Sequence, residues 1–166
     1  PSFWVALLLV LIFAVNLGWL PPFGFVRFSD DAGEWLSRMI LPALALSLSP
    51  AAVMARQLRG GLADTMQSAF IRTAWAKGGS TRQVVVGHAL KNSAAPAVTV
   101  LGLQVGIILG GAVLIEQIFT IPGMGTYLLD AVNNQDLPAV QGVVVLFVLL
   151  QVLITLFVDL TYGYLN

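Results

Sequence analysis

The sequence predicts an all-α membrane protein with about four transmembrane helices and a polar two-helix segment between the second and the third. Three observations carry that expectation. Apolar residues make up 58% of the chain and charged residues 10%, against roughly 25% charged in soluble domains. Apolar runs long enough to cross a hydrocarbon core of about 30 Å recur along the 166 residues. The only long polar interruption, Asp64 to Pro96, lies in the most basic part of the chain. Of the eight Lys and Arg residues, six (Arg56, Arg59, Arg72, Lys77, Arg82 and Lys91) fall between positions 56 and 91, where Asp64 is the only acid.

The first predicted span runs from Phe3 to Leu20, eighteen residues in which Asn16 is the only strongly polar member. Trp4 and Trp19 stand near its ends, where amphipathic aromatics favour the headgroup level. The competing reading is a buried helix of a soluble protein, but such helices seldom lack a polar face. Pro21-Pro22-Phe23-Gly24 then breaks the helix, and mixed charge in residues 21–38 marks a solvated loop. The second span is placed at 39–58. Pro50 should kink it by removing a backbone donor, and Ser47 and Ser49 are at hand to satisfy freed carbonyls.

Residues 59–93 form the polar segment. Good helix formers from Ala63 to Lys77 end at Gly78-Gly79, and Ser80 with Gln83 makes a capping box for a second helix. That helix is expected to run to about Leu90 or Asn92, and Gly78 is expected to turn the chain with a positive φ. The third span covers 94–119. In it Gly102, Gly106 and Gly110 share one face at intervals of four, which suits helix packing or a subunit interface. Glycine is also simply commoner in membrane helices. The last span covers 138–162, after a polar stretch holding Ile121-Pro122-Gly123-Met124-Gly125 and Asp130 and Asp136.

Charge sets the expected orientation. Basic loops stay in the cytoplasm, so residues 56–91 and the C-terminus are placed inside. The whole chain, 1–166, reads as a single membrane domain. It opens on an apolar run without an initiator methionine or a basic leader, which suggests a piece of a longer protein with no signal peptide.

The residues supply little catalytic chemistry. Neither lysine precedes Ser or Thr as a phosphate-loop lysine does, and there is no Gly-x-Ser-x-Gly elbow. With no cysteine and His88 as the one histidine, a metal site is not expected. His88 reads as an ordinary surface or interface residue. Glu116 and Asp159 are ionisable groups at span ends and are read as solvated interfacial residues rather than intramembrane functional groups.

The stretch from Phe70 to Pro96, FIRTAWAKGGSTRQVVVGHALKNSAAP, resembles the cytoplasmic EAA loop of bacterial ABC-importer permeases, and more narrowly the dipeptide, oligopeptide and nickel group. Further matches are Pro1-Ser2-Phe3-Trp4, Leu41-Pro42-Ala43-Leu44, Ala55-Arg56, Leu58-Arg59, Glu116-Gln117-Ile118-Phe119, the Ile121 to Gly125 motif, Asp136-Leu137-Pro138 and Gln141-Gly142. Arg72-Thr73-Ala74 stands where the general pattern has Glu-Ala-Ala, and Leu90-Lys91 where it has Leu-Pro, departures usual in the peptide group. The resemblance implies a partial type I importer permease fold lacking the spans before Phe3 and a short C-terminal tail. It implies a non-enzymatic transport subunit of the inner membrane for di- or oligopeptides. Its partners are a second homologous permease, two cytoplasmic ABC ATPases, an extracytoplasmic substrate-binding protein and the bilayer, with no nucleic acid. The resemblance also implies that this chain binds no cofactor and that ATP and magnesium belong to the ATPases. The docking and coupling residues it implies are Phe70, Ile71, Arg72, Thr73, Ala74, Ala76, Lys77, Gly78, Arg82 and Leu90. A scaffold whose basic loop binds anionic lipid is the rival reading. A stand-alone channel is a further one, though no filter-like ring is visible.

Overall fold

The computed structural model describes residues 1–165, except the side chains of residues 95, 96 and 162–165. The side chain of Pro96, named above, and that of residue 162, the expected end of the last span, therefore lie outside the described residues, as does Asn166. Every regular element described is helical. Helix α1 begins as Ser2–Leu9 and widens into a π-helical run, Val10–Asn16. The others are α2 (Ala32–Met66), α3 (Ala69–Ala76), α4 (Leu90–Phe119, entered through a π-helical run at Gln83–Ala89), α5 (Met124–Asn133) and α6 (Leu137–Leu165).

Among the described residues, three helices are long and apolar enough to cross a membrane: Ala32–Met66, Ala97–Phe119 and Leu137–Thr161. The expected first span differs. Its helix is Ser2–Asn16 rather than Phe3 to Leu20, about 22 Å at 1.5 Å per residue. The N–H of Leu17 reaches back five residues to the carbonyl of Ile12, and Gly18 then takes φ +62°. That left-handed residue ends the helix, so Trp19 folds back to lie 6.0 Å from the ring of Phe13 instead of extending the span.

The second span is longer than expected. Asp31 caps α2, accepting the N–H of Glu34 at 2.9 Å, and Arg38 pairs with Glu34 one turn on at 2.6 Å. The helix continues through Pro42 and Pro50 to Met66, about 50 Å in all. Ser47 donates to the carbonyl of Leu44 at 3.2 Å, not to that of Leu46, which Pro50 leaves without its N–H partner. The helix expected from Ala63 to Lys77 is accordingly split. Its first part belongs to α2, and a tight turn at Gln67-Ser68 starts α3 on a new axis.

The chain divides into two compact units. One comprises Pro1–Pro50 and Gly106–Gln151, the other Ala51–Val105 and Val152–Asn166. The core of the first is Ala6, Val10, Leu41, Ala45, Ile115 and Phe119, contributed by α1, α2 and α4. The core of the second is small: Ile71, Val84 and Ala89, closed by Leu62, Met66 and Ala74. Most remaining large apolar side chains are exposed, as on the run Val144, Val145, Val148 and Leu149 of α6. A bilayer or another chain must cover such a surface, because water does so only at a cost of about 25 cal/mol per Å².

Candidate functional site

The polar segment is a compact hairpin of helices built on three local devices. The first is the end of α3. Gly78 takes φ +82°, and its N–H meets the carbonyl of Trp75 at 2.9 Å while that of Gly79 meets Ala74 at 3.2 Å. This is a Schellman motif, which satisfies helix-end carbonyls by means of one left-handed residue. The second device is the expected capping box. The Gln83 side-chain oxygen accepts the N–H of Ser80 at 3.0 Å, and the Ser80 hydroxyl accepts the N–H of Gln83 at 3.4 Å. The third is burial. Ile71 is 0% exposed and packs with Val84, Ala89, Leu62 and Met66, joining α3 to the end of α2 and the start of α4. Ser93 adds a buried polar tie, donating to the carbonyl of Ala89 at 2.7 Å with the Thr65 hydroxyl 3.1 Å away.

The implied docking residues thus separate into roles. Phe70 is 46% exposed, and Arg72, Thr73, Ala76, Lys77, Gly78 and Arg82 are exposed as well, with Ala74 and Leu90 half-buried. Ile71 is a correction. A side chain with no exposed surface cannot touch a partner, and it serves instead to hold α3 in place. Phe70, Thr73, Ala74 and Lys77 share one face of α3, and with Gly79, Gln83, Val84, Gly87 and His88 they line an open groove of about 730 Å³.

There is a second correction. No helix boundary falls near Asn92: the π-helical run Gln83–Ala89 passes without a break into α4. A wider π-type turn inside a helix is often found at functional positions.

The glycine stripe divides as well. A Cβ at Gly102 would stand 3.5 Å from Val158, and one at Gly106 would stand 3.2 Å from the Gln151 side-chain oxygen, so each packs against a side chain of α6. Gly110 faces open space, and its neighbour Gly111 faces Ser2 and Leu46.

Sequence reasoning passed over the junction of α4 and α5. Glu116 is half-buried rather than free in solvent. Its Oε2 accepts the Thr126 N–H at 2.8 Å, and the Thr126 hydroxyl lies 3.2 Å away. Gly123 is the N-cap of α5 and has no side chain with which to satisfy the orphan N–H groups of the first turn. Glu116 fills that role from another helix, its negative charge placed at the positive end of the α5 dipole. The glycines make room for it. A Cβ at Gly123 would collide with the Glu116 carboxylate, and one at Gly125 would lie 2.6 Å from the Cα of Val113. A signal was present: a helix that opens Gly-Met-Gly needs a foreign acceptor, and Glu116 is the nearest acid preceding it in the sequence.

The entire chain, residues 1–166, matches the model of one family, the binding-protein-dependent transport system inner membrane component. The chain belongs to that family. It is therefore a multi-pass membrane protein, in keeping with its apolar helices. A dipeptide transport system permease protein of Alkalihalophilus pseudofirmus is 40% identical over all of this chain and 56% of its own length. A di/tripeptide transport system permease protein of Pseudomonas aeruginosa is also 40% identical, with 55% of its length covered. A glutathione transport system permease protein of Pectobacterium atrosepticum reaches 44% over the full chain and 52% of its length. The chain thus spans about half the length of these relatives.

Proposed function

We propose that this family member forms part of the permease subunit of an ATP-driven, binding-protein-dependent importer of di- or oligopeptides. In this reading residues 64–96 are the element through which cytoplasmic ATPases act on the spans. A second, homologous permease completes the pathway, and an extracytoplasmic binding protein delivers the substrate. The relatives support the substrate class, since their names converge on short peptides. The charge distribution supports the orientation: the basic 56–91 segment and the C-terminus are cytoplasmic.

One observation carries the coupling role. The polar segment is tied to the ends of α2 and α4 by a Schellman turn, a capping box and a buried core that Leu62 and Met66 of α2 help to close. A flexible loop absorbs a displacement, whereas a fixed one passes it on. Force transmission also requires that the segment make different contacts in the open and closed ATPase states.

Gly78→Val in the full-length permease tests this. No heavy atom lies within 4 Å of a Cβ at this position, so the branch point of a valine side chain has room. Its penalty is the left-handed backbone alone, about 1–2 kcal/mol for a β-branched residue. In reconstituted vesicles the variant should insert and pair normally while uptake drops and ATP hydrolysis ceases to respond to loaded binding protein. Normal coupling would overturn the proposal. Single cysteines at positions 80 and 133 check the orientation, with an impermeant thiol reagent labelling only position 133 in intact cells.

A further inference from the structure

We infer that the groove between α3 and the π-helical run receives a carboxylate-bearing segment of the ATPase, gripped by Lys77 and His88 against the apolar wall of Phe70. The inference rests on the importer reading and adds the chemistry of the contact. Geometry comes first. Phe70, Thr73, Ala74 and Lys77 recur at helical spacing along one side of the groove, and Gln83, Val84, Gly87 and His88 along the other. Val84 is 1% exposed and forms the floor. A volume of about 730 Å³ accommodates several side chains of a partner. Gly87 leaves its wall open, with nothing within 4 Å of a Cβ built there.

Charge decides the occupant. From Thr65 to Ile115 the sequence holds no Asp or Glu, so the only charged residues of this stretch are Arg72, Lys77, Arg82 and Lys91, with His88 among them. Among the described residues none of these basic side chains forms an ion pair; the pair present joins Arg38 to Glu34 in the other unit. A concave site with Lys77 on its rim, the His88 ring beside it as a hydrogen-bonding group and no anion of its own complements a carboxylate. The half-exposed Phe70 supplies the aromatic anchor that protein interfaces favour. Anionic lipid fits less well. Polybasic lipid-binding segments cluster four to eight basic residues, whereas these stand five to nine positions apart, and a flat headgroup layer does not fill a groove.

The test uses the full-length permease pair in nanodiscs and its purified ATPase, with affinity measured at low and high salt. Lys77→Glu should weaken binding by about tenfold or more, the range seen for close interfacial charge pairs. Its residual affinity should respond less to salt than that of the wild type. Lys77→Gln should fall between the two, Lys77→Arg should restore wild-type binding, and Lys91→Glu, outside the groove, should change it less than about twofold. The losses should be equal in neutral and anionic discs. Wild-type affinity and salt response in Lys77→Glu would overturn the inference and leave ATPase docking intact. An equal loss in Lys91→Glu, or a loss confined to anionic discs, would also overturn it in favour of net charge or lipid contact. A wild-type permease that captures no ATPase at any salt concentration would remove the importer reading itself.

Discussion

Gly78 and Thr120 occupy the same position in the same kind of turn, one ending α3 and the other ending α4. Thr120 has φ +55°, and after it the N–H of Ile121 returns to the carbonyl of Glu116 at 2.9 Å. The hydrogen bonds match those around Gly78 one for one, and the residue types could hardly differ more. Glycine adopts the left-handed conformation without strain, while a β-branched threonine there is an outlier costing about 1–2 kcal/mol. The surroundings account for the difference. At Gly78 nothing lies within 4 Å of where a Cβ would stand, so no neighbour presses on that residue and it supplies the conformation itself. At Thr120 the turn is fixed from outside: Phe119 is 2% exposed, its carbonyl accepts the N–H of Gly24 at 2.9 Å, and Glu116 holds the start of α5. One turn is set by its own residue and the other by its neighbours.

The comparison breaks most readily at the crowded junction. Gly125→Ala places a methyl group 2.6 Å from the Cα of Val113 and 2.9 Å from the Glu116 carboxylate. Backbone cannot swing aside as a flexible side chain does, so α5 must lift away from α4. A loss of about 3 kcal/mol is expected, at the upper end for overpacking, measured as a lowered melting temperature of the full-length permease in detergent. A wild-type melt would mean that the two helices are not in contact in solution. The same substitution at Gly110, in open space, supplies the control and should stay within about 0.5 kcal/mol.

Next is the carboxylate. Glu116→Ala leaves the Thr126 N–H without its charged acceptor and should cost about 2 kcal/mol, the usual range for a hydrogen bond to an ionised group. Glu116→Gln retains an acceptor oxygen but not the charge at the helix end, so about half that loss is expected. Equal melts for Ala and Gln would show that the charge contributes nothing and that shape alone holds the junction.

These two turns also mark how far the sequence was legible. The helical class, the three long spans and the polar segment followed from hydrophobic run length and charge, which act locally and leave a continuous trace. The Ser80–Gln83 cap was legible because both partners lie within one turn. The early end of α1 was not, because apolar run length does not register that Gly18 would turn left-handed. Ile71 looked like one more exposed residue of a docking helix, since its burial depends on Leu62, Met66 and Val84 arriving from other elements. The role of Glu116 was hidden for the same reason. Its partner Thr126 is ten residues away, beyond a turn that no local propensity favours.

The smallest effect has the opposite sign. If neighbours alone impose the left-handed backbone at Thr120, the residue itself contributes strain, and Thr120→Gly should relieve it. Thr120 is exposed, and among the described residues its side chain has no hydrogen-bond partner, so little contact is lost. Glycine gains freedom in the unfolded chain, which offsets part of the relief. A net stabilisation of about 1 kcal/mol is expected, read as a higher melting temperature. Gln135 ends α5 in the same conformation at φ +58°, with the N–H of Asp136 returning to Ala131 at 2.9 Å, so Gln135→Gly should behave alike but more weakly, because its β-carbon is unbranched. A destabilised Thr120→Gly variant would instead mean that the threonine side chain holds the turn. The contrast with Gly78 would then disappear, since both residues would be setting their own geometry.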